Sequence, residues 1–268
     1  MKLKILVDNN TLIDHYFLGE PAVSYYLEID DKRILFDTGY SEVILKNAEA
    51  LRIDLSQLTH IVLSHGHNDH SNGLKILNES MDMSKVSLIA HPHCFIPKYD
   101  GEEYIGAPYT EKEIQKKMHY HPSIKPYALS ENCLFLGEIP QIIDFEINNS
   151  IGKQKMGQEW CDDYVMDDSA LVCKSSKGLF ILTGCSHRGI CNIVEYATKV
   201  CEDHRILGVL GGFHLFETDE RLMKTIHYFE ERHIEQLYPC HCVSLKAKAK
   251  MMDKLNVNEV GAGLEISI

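Results

Sequence analysis

The fifteen residues from Thr59 to Gly73 constrain this chain more than any other stretch. They open as a buried strand, Ile61-Val62-Leu63, and then set His65, His67, Asp69 and His70 within six positions. Side chains at 65 and 67 share one side of an extended backbone. The following Asn72-Gly73-Leu74-Lys75-Ile76-Leu77 has helical apolar spacing, so Asp69 and His70 fall where a helix begins. Imidazole and carboxylate together suit a borderline divalent ion, zinc first, with iron or manganese as alternatives. Four such groups on one short loop exceed what a tetrahedral ion usually takes from a single segment, so two adjacent ions are the natural reading. A lone His-x-His would read as a solvated turn. An apolar strand that aims four ligand-type side chains at one point does not.

A second regularity supports metal chemistry. Five apolar runs end at a histidine: Ile61 to His65, Val86 to His91, Leu179 to His187, Leu207 to His214, and Leu237 to His241. Strands of α/β sheets tend to present functional groups from their carboxyl ends, so these rings can converge at one sheet edge. Glycine precedes two of them closely, Gly184 before His187 and Gly211-Gly212 before His214, which allows sharp turns and close approach. His187 and His241 are expected as further ligands, and His214 as a group that touches substrate. His91, followed by Pro92, reads as a strand stop, and His119 and His121 as surface or lid residues.

The rest of the chain reads as an α/β protein. Strands are expected over 3–8, 23–30, 33–39 and 86–90, with a helix over 41–52. Residues 92–128 hold several tyrosines and prolines and read as an insertion, or lid, over the site. Two short strands are expected in 133–147, a polar loop over 149–163, and a hairpin around Ser175-Ser176-Lys177. Helices over 189–202, 218–232 and 244–255 then alternate with strands at 206–210 and 235–238, before a final extended stretch, 258–267. At 268 residues the chain fits a single domain with a substantial core.

Composition narrows the partners. The net charge of −12 disfavours nucleic acid and anionic membranes, which leaves a small-molecule substrate. No apolar run approaches the ~20 residues of a membrane span. The N-terminal apolar stretch is too short for a signal peptide. Nine scattered cysteines, without a Cys-x-x-Cys pair, suggest reduced thiols in a cytoplasm.

The segment Ser64-His65-Gly66-His67-Asn68-Asp69-His70 resembles the signature of the metallo-β-lactamase-fold superfamily. The resemblance implies an α/β/β/α four-layer sandwich with one or two metal ions at the edge of its sheets. His65 and His67 would then serve the first ion, and Asp69 and His70 the second. It also implies that Asp37, in Asp37-Thr38-Gly39, lies beneath the site and orients a ligand histidine. Four segments together are similar to one branch, the dihydropterin ribofuranosylaminobenzene phosphate synthases: Ser64 to Gly73, Thr183 to Val194, Gly211 to Leu215, and Pro239 to Cys242. His241 occupies a matched ligand position. The remaining ligand is assigned to His187, with Asp168 or Cys185 as alternatives. Two places depart from that branch: Val243-Ser244 follows Cys242, and Asp167-Asp168-Ser169 precedes the hairpin.

The chemistry implied is hydrolysis. Two ions ~3.5–4 Å apart lower the pKa of a shared water to about 7 and supply hydroxide to a carbonyl or phosphorus centre. Asp69 is expected to orient that nucleophile as well as bind metal, and His214 to contact substrate or leaving group. Arg188 and Lys246 are expected to neutralise a phosphate. A pterin-joining transferase and a non-enzymatic metal-dependent sensor are the alternatives.

Overall fold

The computed structural model describes residues 1–147 and 149–268. The first half contains β1 (Lys2–Val7), β2 (Ser24–Ile29), β3 (Lys32–Phe36), α1 (Val43–Ala50), β4 (His60–Val62), α2 (Asn68–Ser71), α3 (Gly73–Ser80) and β5 (Ser87–Ala90). A middle stretch follows with β6 (Lys98–Asp100), β7 (Glu103–Tyr104), α4 (Glu111–Ile114), β8 (His119–Pro122), β9 (Tyr127–Ala128), β10 (Cys133–Phe135), β11 (Lys153–Met156) and β12 (Glu159–Asp162). The last part is β13 (Ala170–Ser175), β14 (Gly178–Thr183), α5 (Ile190–Cys201), β15 (Ile206–Gly211), α6 (Glu220–Glu231), β16 (Gln236–Pro239), α7 (Leu245–Met252) and β17 (Glu265–Ser267).

Two large sheets organise these elements. The first runs β17-β1-β2-β3-β4-β5-β8 and the second β16-β15-β14-β13-β10-β9. Their strands are apolar on both faces because both faces are covered. Ile34 and Phe36 of β3 join the core between the sheets, whereas Leu35 joins the one packed on α1 and α3 with Ile44, Ala48, Leu74 and Leu77. The second sheet alternates likewise. Leu171, Phe180, Leu182 and Leu210 face the inter-sheet core, and Val172, Ile181 and Val209 pack with residues of α5, α6 and α7. Three apolar cores therefore separate four layers, helix–sheet–sheet–helix, as the resemblance implied.

The middle of the chain differs from its sequence reading. Residues 92–128 divide among three places. β8 extends the first sheet parallel to β5, β9 edges the second sheet, and β6–β7 joins a small separate sheet, β12-β11-β6-β7. Residues 149–163 carry the β11–β12 hairpin of that same small sheet, not a plain loop. Its strands, Lys-Gln-Lys-Met and Glu-Trp-Cys-Asp, are largely exposed, so they show none of the apolar alternation by which strands are recognised. Of the two strands expected in 133–147 the described residues form only β10, and the final extended stretch forms only β17.

Candidate metal centre

The carboxyl ends of β4, β14, β15 and β16 deliver four of the five strand-end histidines to one place. After β4 the chain stays extended through His67, whose φ of −69° and ψ of 150° make it the cap of α2. Asp69 and His70 then occupy the first turn. The result is two groupings of donor atoms. Asp69, His70, Cys185 and His241 form one, and His65, Cys185 and His187 the other, each with donors within 4.8 Å of one another. Cys185 belongs to both. His67 Nδ1 lies 3.0 Å from His65 Nε2, which places it beside the second grouping.

The donor set fits divalent ions. Bonds of about 2.0–2.1 Å to a tetrahedral ion place the ligand atoms about 3.3 Å apart. His70 Nε2 lies 3.4 Å from Asp69 Oδ2 and 3.2 Å from Cys185 Sγ, and His241 Nε2 lies 3.3 Å from Asp69 Oδ2. The Nε2 of His187 is buried without a hydrogen-bond partner, as is that of His67. Burial pushes the His65 and His187 rings well below the usual imidazole range, and neighbouring histidines add to the effect. Burial also pushes His67 down to about 4, with Lys98 acting in the same direction. These three rings stay neutral with a lone pair to give. His70 differs. Burial opposes its charge, but Asp69 and Asp37 hold it well above its ordinary value, so its proton must leave when metal binds. Asp69 is the partner: burial opposes its ionisation, and His70 and His241 hold it well below the carboxylate range.

Buried groups behind the donors fix their orientation. Asp37, as the sequence resemblance implied, accepts from His70 Nδ1 at 2.8 Å, from Ser64 Oγ at 2.7 Å and from the Ser64 amide at 2.7 Å. Asp8 accepts from the His241 amide at 3.0 Å, and Asn9 Oδ1 lies 3.0 Å from His241 Nδ1. Sequence reasoning missed both, although they end strand β1 just as the histidines end theirs. Asp37, Ser186, His214 and His241 all take positive φ, at 57°, 59°, 49° and 51°. Such strained backbone at non-glycine residues collects where a site demands it. Gly184 is needed for close approach: a Cβ there would lie 2.7 Å from Ser64 Cβ and 2.9 Å from Asp37 Oδ2.

The remaining expected residues separate. His214 stands outside both donor groupings, its ring 4.6 Å from that of His187 and its buried Nδ1 unpartnered. Asp168 is also outside them. Its Oδ2 accepts from the Arg188 amide at 2.9 Å, and burial pushes its carboxyl up to about 8. Cys185, held in reserve by the sequence reading, joins His187 instead of replacing it. His91 stays apart, its Nδ1 accepting from the His93 amide at 3.1 Å. Arg188 and Lys246, expected to neutralise a phosphate, do not line the cavity that the donors open into. Arg188 is buried with Nε on the Ile139 carbonyl, and Lys246 pairs with Glu217.

The donors open into a cavity of about 530 Å³ lined by His67, Asp69, Cys185, His187, His214 and His241. Tyr40, Ile105, Ile151 and Phe216 add apolar wall, and Asp100 and Glu103 add carboxylates. No lysine or arginine lines it among the described residues.

The sequence pattern of the metallo-beta-lactamase superfamily matches residues 18–86, which contain the histidine-rich loop. The chain belongs to this superfamily. An uncharacterised protein of Methanocaldococcus jannaschii is 37% identical over 93% of both chains. The 7,8-dihydropterin-6-methyl-4-(beta-D-ribofuranosyl)-aminobenzene-5'-phosphate synthase of the same organism is 30% identical, over 95% of this chain and 91% of that one. The crystal structure of Tm1679, a metal-dependent hydrolase of the beta-lactamase superfamily, is 30% identical with a TM-score of 0.85, and the match spans 100% of this chain and 99% of that one. No described helix is long and apolar enough to cross a membrane.

Proposed function

We propose that this protein is a binuclear metal-dependent hydrolase of a small molecule, holding two divalent ions, zinc first. The observation that supports the reading is the meeting of two donor groupings at Cys185, at the base of an open cavity. His65, His67 and His187 would hold one ion, and Asp69, His70, Cys185 and His241 the other. Ions so placed supply Lewis-acid polarisation of a carbonyl or phosphorus centre and make water acidic enough to ionise near neutrality. With Cys185 given to the second ion, three protein donors would leave a position open on the first, which favours an enzyme over a sensor. Asp69, part exposed to the cavity, accepts a hydrogen bond from the attacking water and aims it. His214 lines the cavity and would hydrogen-bond the leaving group or a substrate oxygen. The walls formed by Tyr40, Ile105 and Phe216 exclude water from one side of the substrate.

A second reading, a transferase that joins a pterin to a ribosylaminobenzene, is supported by the relative of that name and by the aromatic walls, which suit flat rings. The lack of a cation among the described lining residues counts against a phosphate held away from the metals. Elemental analysis of protein purified without added metal, beside a phosphodiester and lactone hydrolysis screen, decides between them. Near two ions with turnover is the expected result. Two ions without hydrolysis would transfer the assignment to the transferase or to a metal-dependent sensor, and one ion or none would refute the donor assignment.

A further inference from the structure

The small sheet is tied to the metal loop by a buried charged link that the chemistry above does not use. Lys98 of β6 is 0% exposed. Its Nζ donates to Asp163 at 2.7 Å and to Asp167 at 2.9 Å, and both carboxylates are also fully buried. The other oxygen of Asp167 accepts from the amide of Gly66 at 2.8 Å. Gly66 lies between His65 and His67. On the far side of His67, the amide of Asn68 donates to the carbonyl of Ile105 at 2.8 Å, and its side chain to that of Tyr104 at 3.2 Å. Asp167, paired with Lys98 of β6, and Ile105, next to β7, therefore hold the backbone immediately before and after His67. The fit at Gly66 is tight as well, since a Cβ there would lie 2.7 Å from Cys94 Cα.

We infer that Lys98 and Asp167 are positioning residues for the first ion, setting the spacing of His65 and His67 through the Gly66 amide and coupling the small sheet to the metal. The inference rests on the metal reading proposed above. The physical reason is that two ligands on an extended strand are only as well placed as the peptide between them. A neutral acceptor would hold Gly66 weakly. A buried carboxylate with a single amide donor needs a further partner to keep its charge, and Lys98 is that partner for Asp167. Asp163 completes the triad but does not touch the loop.

The test is stepwise metal binding by the intact protein, with zinc titrated against a competing chelator and cobalt substituted in parallel. Because Cys185 stands in both groupings, the thiolate charge-transfer band of cobalt is assigned with His67→Ala, which removes a donor of the first ion alone: a band kept in that variant marks the ion of Asp69, His70 and His241. Wild type is expected to bind two ions. Lys98→Met is expected to keep the thiolate band while the other ion binds about 10- to 100-fold more weakly, the range seen when a group supporting a ligand is lost. Asp163→Asn, which disturbs the same triad but spares the carboxylate on Gly66, is expected to keep both ions within about threefold of wild type. Wild-type affinities in Lys98→Met would overturn the inference, as would equal losses in Lys98→Met and Asp163→Asn, which mark a merely structural triad. If Lys98→Met does not fold, Asp167→Asn is measured instead and read the same way. Wild-type protein that binds no ion would overturn the metal reading and this inference together.

Discussion

Replacing Asp37 by asparagine keeps its volume and alters one proton's address. Asp37 gives one oxygen to the Ser64 amide and the other to Ser64 Oγ and His70 Nδ1. An asparagine that keeps its oxygen on the Ser64 amide must present NH₂ to His70. The ring then accepts at Nδ1 and carries its proton on Nε2, the nitrogen that faces Cys185 at 3.2 Å and Asp69 at 3.4 Å. That proton occupies the lone pair the second ion needs. Loss of the charge-assisted bond costs about 1.5–3 kcal/mol in the metal-free protein. Loss of ligand orientation weakens the second ion about 10- to 100-fold, or roughly 1.4–2.7 kcal/mol. The assay is zinc titration against a competing chelator, with thermal melting of the metal-free protein alongside. Asp37→Asn that binds both ions within about threefold of wild type would refute the tautomer argument. A stability loss without a metal loss would make Asp37 a fold residue only.

Three further outcomes are expected. Gly184→Ala forces a Cβ against Ser64 and Asp37 where the two sheets meet, and should cost about 1–3 kcal/mol or more; an unchanged melting temperature would show that the strand ends are not in contact. The metal-free protein should lose stability as pH falls from about 6.5 to about 4, because His67 refuses a proton in the folded state that the unfolded chain accepts. The loss is roughly 3 kcal/mol from this ring, with His65 and His187 in the same direction. His70 works oppositely, its contribution being complete in acid and lost as pH rises through its raised value. A flat stability profile over that window would contradict the burial of neutral rings. Asp168, pushed up to about 8, destabilises the metal-free fold as pH rises above the ordinary carboxylate range; Asp168→Asn should therefore raise the melting temperature at pH 7, and a lower one would mean that the carboxylate has a partner in solution.

The α/β pattern was legible because strands covered on both faces must be continuously apolar, and the runs ending at His65 and His187 are; the four-layer frame came only from the resemblance of the histidine-rich loop. The same rule led to His214. His91, read as a strand stop, caps its own 3₁₀ turn, where the His93 amide donates to its ring. Periodicity can place a residue at a strand end but cannot aim its side chain. It failed for the small sheet, because exposed strands such as β12 bury nothing and carry no apolar signature. Cys185 was legible as a metal-type residue and only the fold could show that it stands between His70, His65 and His187.

Apart from Asn9, which meets the His241 ring, the groups that sequence reasoning left out act through backbone amides, as Asp37, which the resemblance did imply, also does at Ser64. Asp167 holds Gly66, Asp8 holds His241 and Ile105 holds Asn68. Any acceptor of suitable reach satisfies an amide, so no residue pattern announces it, whereas a metal ligand must be one of few side chains. The consequence is a constraint on how this cavity can change. Ile105 lines the cavity and also anchors Asn68, and Asp100 and Glu103 sit on the strand pair that carries Lys98. A change there that suits a new substrate pulls on the peptides flanking His67. Walls carried by other elements, such as Tyr40 and Phe216, can vary without that cost. Phe216→Ala should accordingly alter substrate preference with both ions retained, while Gly66→Ala should weaken the first ion with the aromatic walls untouched.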